Sequence, residues 1–306
     1  MINVGVIGVG SIGIHHARIF SGIDAVNLVG IVDTDTARAQ EIAAKYACKA
    51  YSSYKDIIDH VDAVSIAVPT TFHYETGMEF LRHNKHILIE KPVTTTLEEA
   101  DKLIEEAEKR ELTFQVGHLE RFNAGVSVIS NMVEKPKFIE SQRLSPFLGR
   151  GIDVDVTLDL MIHDIDIILS LVNSEISDIR ATGAKVLTDN IDVAHAWIEF
   201  KNGCIAEAVT SRMAHDKVRQ LKVFQQNSYV SLDYQSQEIT TYRTSNGKVN
   251  KTTERPEEKE PLKEQLRSFI DCIKNNAQPL VSGLEGKEAL KVALKISGLV
   301  HHGLIH

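Results

Sequence analysis

A glycine-rich turn lies between an apolar run and a helix-like run at the start of the chain, and that order restricts the fold more than any other feature. The apolar run is Ile2 to Ile7, the turn is Val6-Ile7-Gly8-Val9-Gly10-Ser11-Ile12-Gly13, and the helix-like stretch runs from Ile14 to Phe20. A strand that feeds a helix through G-x-G-x-x-G builds a phosphate cradle. Gly8 allows the tight turn, Gly10 lets a pyrophosphate approach the backbone, and Gly13 lets helix and strand pack closely. Ser11 and Ile12 open the helix, whose free N–H groups and positive dipole end hold the anion. Asp33 closes the next apolar run, Val26 to Val32, about 20 residues further on, where a carboxylate accepts from a ribose 2′-hydroxyl. The competing reading, an ordinary glycine turn with a surface Asp, explains one feature at a time; a dinucleotide-binding domain explains all of them together. Thr34, Asp35 and Thr36 follow Asp33, and Arg38 is the nearest cation. A 2′-phosphate beside these carboxylates would be repelled, so NAD is expected rather than NADP.

The 306 residues are 43% hydrophobic and 25% charged, the make-up of a globular chain with enough core for two domains. The net charge of −8 argues against a general nucleic-acid binder, yet leaves room for a local cationic pocket. Cys48, Cys204 and Cys272 are far apart and odd in number, which indicates neither a disulfide framework nor a zinc site. The longest apolar-rich segment, Val154 to Val172, contains Asp155, Asp159, His163, Asp164 and Asp166, too many ionisable groups for a lipid span. Met1 leads directly into the first strand, without a signal-like segment. A cytoplasmic protein with no membrane and no nucleic-acid partner is expected.

Strand patterns at Asn3–Ile7, Asn27–Val32, Ala63–Val68, His86–Glu90 and Thr113–Val116 alternate with helix patterns at Ile12–Phe20, Thr36–Tyr46, Phe72–Arg82 and Leu97–Lys109. This rhythm predicts a Rossmann-type, doubly wound parallel sheet in residues 1–118, with Pro69 and Pro92 just past two strands on the side where ligands sit. Pro92 follows the kind of strand-end turn that favours a cis bond. Residues 119–306 read as a second, α+β domain. One buried-looking helix precedes strand-like runs at Ile179–Val186, Val193–Phe200, Cys204–Arg212, Leu221–Gln225, Tyr229–Leu232 and Ile239–Tyr242. Consecutive strands imply a mainly antiparallel sheet, with Asn202-Gly203 as a hairpin turn. Thr244–Lys263 reads as an exposed loop, and helices near Pro261–Asn275 and Gly286–His302 end the chain, free to pack back on the first domain. His301, His302 and His306 read as a solvated tail rather than a metal site.

The chemistry-bearing residues fall on two segments. Val154–Val172 is apolar around most of a helix, yet it carries Asp159 and His163 four residues apart on one face, with Asp166 a turn beyond. Buried ionisable groups need partners, and an Asp one turn from a His can orient the ring as a general base toward an alcohol. A structural Asp–His pair and a metal site built from Asp159, His163 and Asp166 are the alternatives; no other Cys or His is spaced to complete a metal shell, so no metal is expected. The second segment is Glu90-Lys91-Pro92, where Lys91 leaves a strand at the ligand edge of the sheet and can stabilise a developing alkoxide.

These segments, with Ala67-Val68-Pro69-Thr70 and His73, occur in an order that resembles the Gfo/Idh/MocA oxidoreductases, and the resemblance covers essentially the whole chain. It implies an open antiparallel sheet facing the nicotinamide, hydride transfer between a sugar-like carbon and NAD, and Lys91, Asp159 and His163 as the catalytic Lys, Asp and His. It further implies cofactor contacts from Gly8, Gly10, Ser11, Ile12, Gly13, Asp33, Val68, Pro69, Thr70, His73, Glu90 and Lys91, and a homodimer or homotetramer. A narrower resemblance, to the branch that oxidises the 3-hydroxyl of UDP-N-acetylglucosamine, rests on Val116-Gly117-His118-Leu119-Glu120-Arg121-Phe122-Asn123, Ser145-Pro146-Phe147 with Arg150-Gly151, and Leu158 to Asp164. It implies that His118, Glu120, Arg121, Asn123 and Arg150 border the substrate along with Asp159 and His163. Arg121, Arg143, Arg150 and Arg212 are the cations available to a diphosphate. An inositol or free-sugar dehydrogenase, NAD-dependent glycoside cleavage without net redox change, and a non-catalytic NAD sensor are the other functions compatible with the pattern.

Overall fold

The computed structural model describes residues 1–149, 154–245 and 247–304. In chain order the elements begin β1 (Ile2–Ile7), α1 (Gly13–Phe20), β2 (Val26–Val32), α2 (Thr36–Lys45), β3 (Lys49–Tyr51), β4 (Ala63–Ile66), α3 (His73–Arg82), β5 (His86–Glu90), α4 (Leu97–Lys109) and β6 (Phe114–Gly117). There follow α5 (Ala124–Met132), β7 (Phe138–Leu144), a π-helical turn (Thr157–Met161), α6 (Ile162–Val172), β8 (Ile176–Ala184), β9 (Val193–Phe200) and β10 (Ile205–Ser211). The last are β11 (Val218–Gln225), β12 (Ser228–Asp233), β13 (Glu238–Ser245), β14 (Lys248–Glu254), α7 (Pro261–Asn275) and α8 (Gly283–Gly303). They form two compact units, Met1–Leu119 with Glu260–Lys287, and Glu120–Lys259 with Glu288–His306.

The first unit is a six-stranded sheet in the order β3-β2-β1-β4-β5-β6, with every neighbouring pair parallel. Both faces of such a sheet are covered, so its central strands read as continuous apolar runs; β4 is buried at every residue. One cover is α7, which begins with Pro261 in its first turn and buries Leu262, Leu266, Phe269 and Ile270, a helical stripe packed with Phe20 of α1 and Leu88 of β5. A capping box of Thr96 and Glu99 starts α4. The parallel order puts the ends of β1, β4 and β5 side by side, so the glycine turn, Val68-Pro69 and Lys91-Pro92 share one edge.

The second unit is an eight-stranded sheet in the order β14-β13-β12-β11-β7-β10-β9-β8, antiparallel except where β7 and β10 run parallel. Alternate residues of β7, β9 and β10 are buried, the signature of a sheet with one covered face. That face packs its core against Val126 and Ile129 of α5, Ile165 and Ile168 of α6, and Ala293 and Ile296 of α8. Asn202-Gly203 forms the β9–β10 hairpin, with Gly203 at φ +82°.

Three expectations change. Part of Thr244–Lys263, read as a loop, is the fully exposed strand β14 paired to β13. The helix over Val154–Val172 is a π-helical turn followed by α6. His301 is not part of a solvated tail: its Nε2 hydrogen-bonds the Asp155 carboxylate at 2.9 Å, while His306 lies outside the described residues. No helix among the described residues is long and apolar enough to cross a membrane. The described residues also hold no group of three or more His, Cys, Asp and Glu that could hold a metal ion.

Candidate active site

The glycine turn has the geometry its spacing requires. Gly8 is at φ +86°, and a Cβ there would lie 2.7 Å from the Ala67 carbonyl oxygen. A Cβ on Gly13 would lie 1.9 Å from the Gly8 carbonyl oxygen, so only glycine lets α1 cross the turn this closely. A Cβ on Gly10 would meet nothing within 4 Å, which leaves its backbone open to a ligand. No side chain caps the start of α1 at Ile12, although the Ile14 and His15 amides donate to the Gly10 and Ile12 carbonyls; the amides ahead of them are the candidates for an anion. The Val9 and Asp35 amides each donate to the Asp33 carboxylate at 2.9 Å, which ties it to the turn. Beside it opens a cleft of about 590 Å³, lined by Gly10, Asp33, Arg38, Val68 and Pro69 among others. Arg38 pairs with Asp35 at 3.4 Å. The residues present fit a dinucleotide whose adenosine ribose meets Asp33.

Along the same edge, the Lys91-Pro92 bond is cis. His73 is only 1% exposed, and its ring nitrogens face the Val68 and Pro92 carbonyl oxygens, each at 2.9 Å. Its neutral ring carries one N–H, so it donates to one of these carbonyl oxygens and packs against the other. Burial lowers its pKa, against the raising effect of the two carbonyls. Glu90 turns inward. Its Oε1 lies 3.3 Å from Nε2 of His16 and accepts from Gln265 at 3.4 Å. Burial alone would push the Glu90 carboxyl up; the nearby His16 ring, the Lys91 charge and Gln265 bring it below the ordinary value. Lys91 itself is half-buried.

In the second unit, Asp159 lies in the π-helical turn and His163 follows at the start of α6, Asp159 half-buried and His163 9% exposed. The Ile162 amide donates to the Thr157 carbonyl, the longer bond of a π turn, a form that recurs at functional sites. In the same unit, Arg143 is 1% exposed. It donates to both Asp164 oxygens, at 2.7 and 3.2 Å, and to Glu120 at 3.0 Å, a forked arrangement that keeps it charged. Arg219 reaches the same Glu120 oxygen at 3.5 Å. Tyr234 lies under the Arg143 guanidinium at 5.4 Å, and burial holds its hydroxyl protonated.

Residues 2–118 match the NAD-binding Rossmann-fold profile of the GFO/IDH/MocA oxidoreductases, and residues 135–230 match the C-terminal domain profile of that group. A UDP-N-acetylglucosamine 3-dehydrogenase of Acidithiobacillus ferrooxidans is 34% identical over 302 residues, 96% of either chain. The chain belongs to the Gfo/Idh/MocA oxidoreductase family. The solved structure of a UDP-N-acetylglucosamine 3-dehydrogenase from A. ferrooxidans superimposes with a TM-score of 0.94, covering 98% of this chain and 97% of that one at 34% identity. A myo-inositol 2-dehydrogenase of Thermotoga maritima is 27% identical over 94% of this chain and 93% of its own. Like other Gfo/Idh/MocA proteins, this one is an NAD-dependent oxidoreductase.

Within this Gfo/Idh/MocA frame, the residues expected at the substrate divide. Asn123 is 2% exposed and works inside the protein, capping α5 through Gly125 N–H and donating to the Tyr234 carbonyl. Glu120 is held by Arg143 and Arg219. Arg121 pairs with Asp166 at 3.3 Å, and Arg212 donates to the Val154 carbonyl at 2.5 Å and lies 3.6 Å from Asp192. Of the four arginines considered for a diphosphate, Arg143 is thus fully neutralised, and Arg150 lies outside the described residues. His118, at the end of β6, is 1% exposed. Two residues escaped the sequence reading. His16 falls on the buried stripe of α1 with Gly13, Ala17 and Phe20, a signal that helical spacing does carry. Arg219 takes the covered-face position of β11 with Leu221 and Val223, where alternation predicts an apolar residue.

Proposed function

We propose that the protein oxidises the 3-hydroxyl of UDP-N-acetylglucosamine to the 3-keto sugar. What carries this reading is the likeness to the A. ferrooxidans UDP-N-acetylglucosamine 3-dehydrogenase over nearly the full length of both chains. The turn from Gly8 to Gly13, with Val68, Pro69 and Thr70, holds the cofactor, and Asp33 takes its adenosine ribose. Bound NAD supplies the hydride acceptor. His163, oriented by Asp159, removes the hydroxyl proton, and the Lys91 ammonium stabilises the charge that develops on the oxygen. His118 and Arg121 border the sugar. The inositol dehydrogenase among the relatives supports a second reading, in which a free cyclic polyol is the substrate of the same catalytic groups.

The test is NADH formation by the purified protein with UDP-N-acetylglucosamine, UDP-glucose, myo-inositol and glucose, with hydroxylamine trapping the ketone. Signal confined to UDP-N-acetylglucosamine, and weaker with NADP, is the expected result. Signal with myo-inositol alone would replace this substrate with the polyol.

We infer a homo-oligomer formed through the uncovered face of the second sheet. There the half-buried rings of Phe138, Phe224, Tyr229 and Tyr242 make successive contacts at centroid distances of 5.9, 4.7 and 5.6 Å, a continuous aromatic patch of the sort that marks interfaces. Sedimentation should show a dimer or tetramer that Tyr229→Lys weakens; a wild-type monomer would contradict it.

A further inference from the structure

The first unit contains a line of buried polar side chains that the proposed chemistry does not use. The His16 ring is wholly buried, with Nδ1 2.6 Å from the Ser65 hydroxyl and Nε2 3.3 Å from Glu90 Oε1. Gln265 donates to Glu90, and its own carbonyl accepts from Gln115 at 3.0 Å. Ser65, Gln115 and Gln265 are likewise 0% exposed. Burying an imidazole, a carboxylate and two amides is costly, the more so because His16 Nε2 and the side-chain oxygens of Gln115 and Gln265 have no hydrogen-bond partner among the described residues. Leucines would fill these sites between α1, β4, β5 and α7 at lower cost if stability were all that mattered.

The placement of the two ionisable members is informative. His16 is on α1, one turn beyond Gly13, so it moves with the glycine turn that receives the pyrophosphate. Glu90 is the last residue of β5, and its backbone leads directly into Lys91. The carboxylate has little freedom: a Cβ on Gly117 of the neighbouring strand would stand 2.5 Å from Oε1. On the other side of Lys91, the Pro92 carbonyl is held by His73. Lys91 is therefore flanked by two residues that buried histidines fix, one through a side chain and one through a backbone oxygen.

We propose that His16, acting through Glu90, is a positioning residue that fixes Lys91 relative to the glycine turn. It touches neither substrate nor cofactor; it sets where the ammonium of Lys91 stands when the cofactor turn is occupied. A displacement of about 1 Å at a reacting group can cost on the order of a hundredfold in rate, and the line from His16 to Glu90 prevents that displacement. The proposal rests on the reading of Lys91 as catalytic.

The experiment compares His16→Asn and His16→Gln, alone and combined with Lys91→Met, by kcat for the substrate that turns over and by NADH affinity from fluorescence. Asn places its amide near the Nδ1 position and keeps the Ser65 end. Gln places its amide near Nε2 and keeps the Glu90 end. The expected result is a loss of kcat of about 10- to 100-fold in His16→Asn, near wild-type kcat in His16→Gln, and NADH affinity within about threefold in both. On the Lys91→Met background, His16→Asn should cost nothing more, because residues acting through one group are not additive. Should His16→Asn fail to fold, the isosteric Glu90→Gln takes its place in the same cycle. A loss that persists undiminished beside Lys91→Met would overturn the proposal, as would wild-type kcat in both His16→Asn and Glu90→Gln. If Lys91→Met itself keeps full kcat, the catalytic reading of Lys91 falls, and the positioning role with it.

Discussion

His73 and Asp33 show how single side chains hold the cofactor edge together. Asp33 accepts from the Val9 amide on one oxygen and from the Asp35 amide on the other, so the carboxylate proposed to take the ribose hydroxyl also fixes the glycine turn. His73 lies between two carbonyl oxygens and, neutral, donates to one of them; its burial has a pH consequence. Its folded pKa is below the ordinary 6.5, so the unfolded chain takes up the proton first. The stability that the neutral ring contributes is complete above about pH 6.5 and is lost as pH falls through the folded value. His86, lowered by burial against the pull of Asp62, adds the same sign. The thermal midpoint should therefore drop between pH 7 and 5.5, and His73→Gln should reduce that slope. An equal or steeper slope in the variant would show that His73 is not the group responsible.

At the scale of elements, the glycine turn separates packing from binding. Gly13 is required by its contact with Gly8, whereas Gly10 has open space where a Cβ would stand. Gly10→Ala should keep the thermal midpoint of the wild type, or raise it slightly, since Ala lowers the entropy of the unfolded chain. The same change should weaken NADH binding at least tenfold in a fluorescence titration; unchanged affinity would remove the pyrophosphate from this turn. The elements that periodicity missed have physical reasons for being missed. β14 is exposed at every residue, so it has no buried face to alternate, and it pairs with β13. Its Lys248 and Lys251 are the charged side chains that keep an edge strand from recruiting another. β7 turns Ile139, Ser141 and Arg143 toward the covered face, and Arg143 fits there only because Asp164 and Glu120 neutralise it. That pairing joins residues more than twenty apart in sequence and leaves no local pattern.

Across the whole molecule, the parallel sheet was legible because both its faces are buried and each strand is a short apolar run between amphipathic helices. The closing helices read from sequence as free to pack back on the first domain, and α7 with the first turn of α8 groups with the first sheet although both follow the second. Of the candidate site, the glycine turn and the place of Lys91 just past β5 could be read directly, because each depends on local order. His16, Glu90 as an interior group, and the cluster of Arg143 with Glu120 could not, because each depends on which helix covers which strand. The measurement that bears most directly on the proposed reaction uses UDP-N-acetylglucosamine carrying deuterium at C3, with NAD and hydroxylamine. Direct transfer to the cofactor should place one deuterium on the nicotinamide ring of each NADH formed, and the label should be absent from water. NADH without deuterium, or deuterium released to solvent, would contradict oxidation at the 3-hydroxyl.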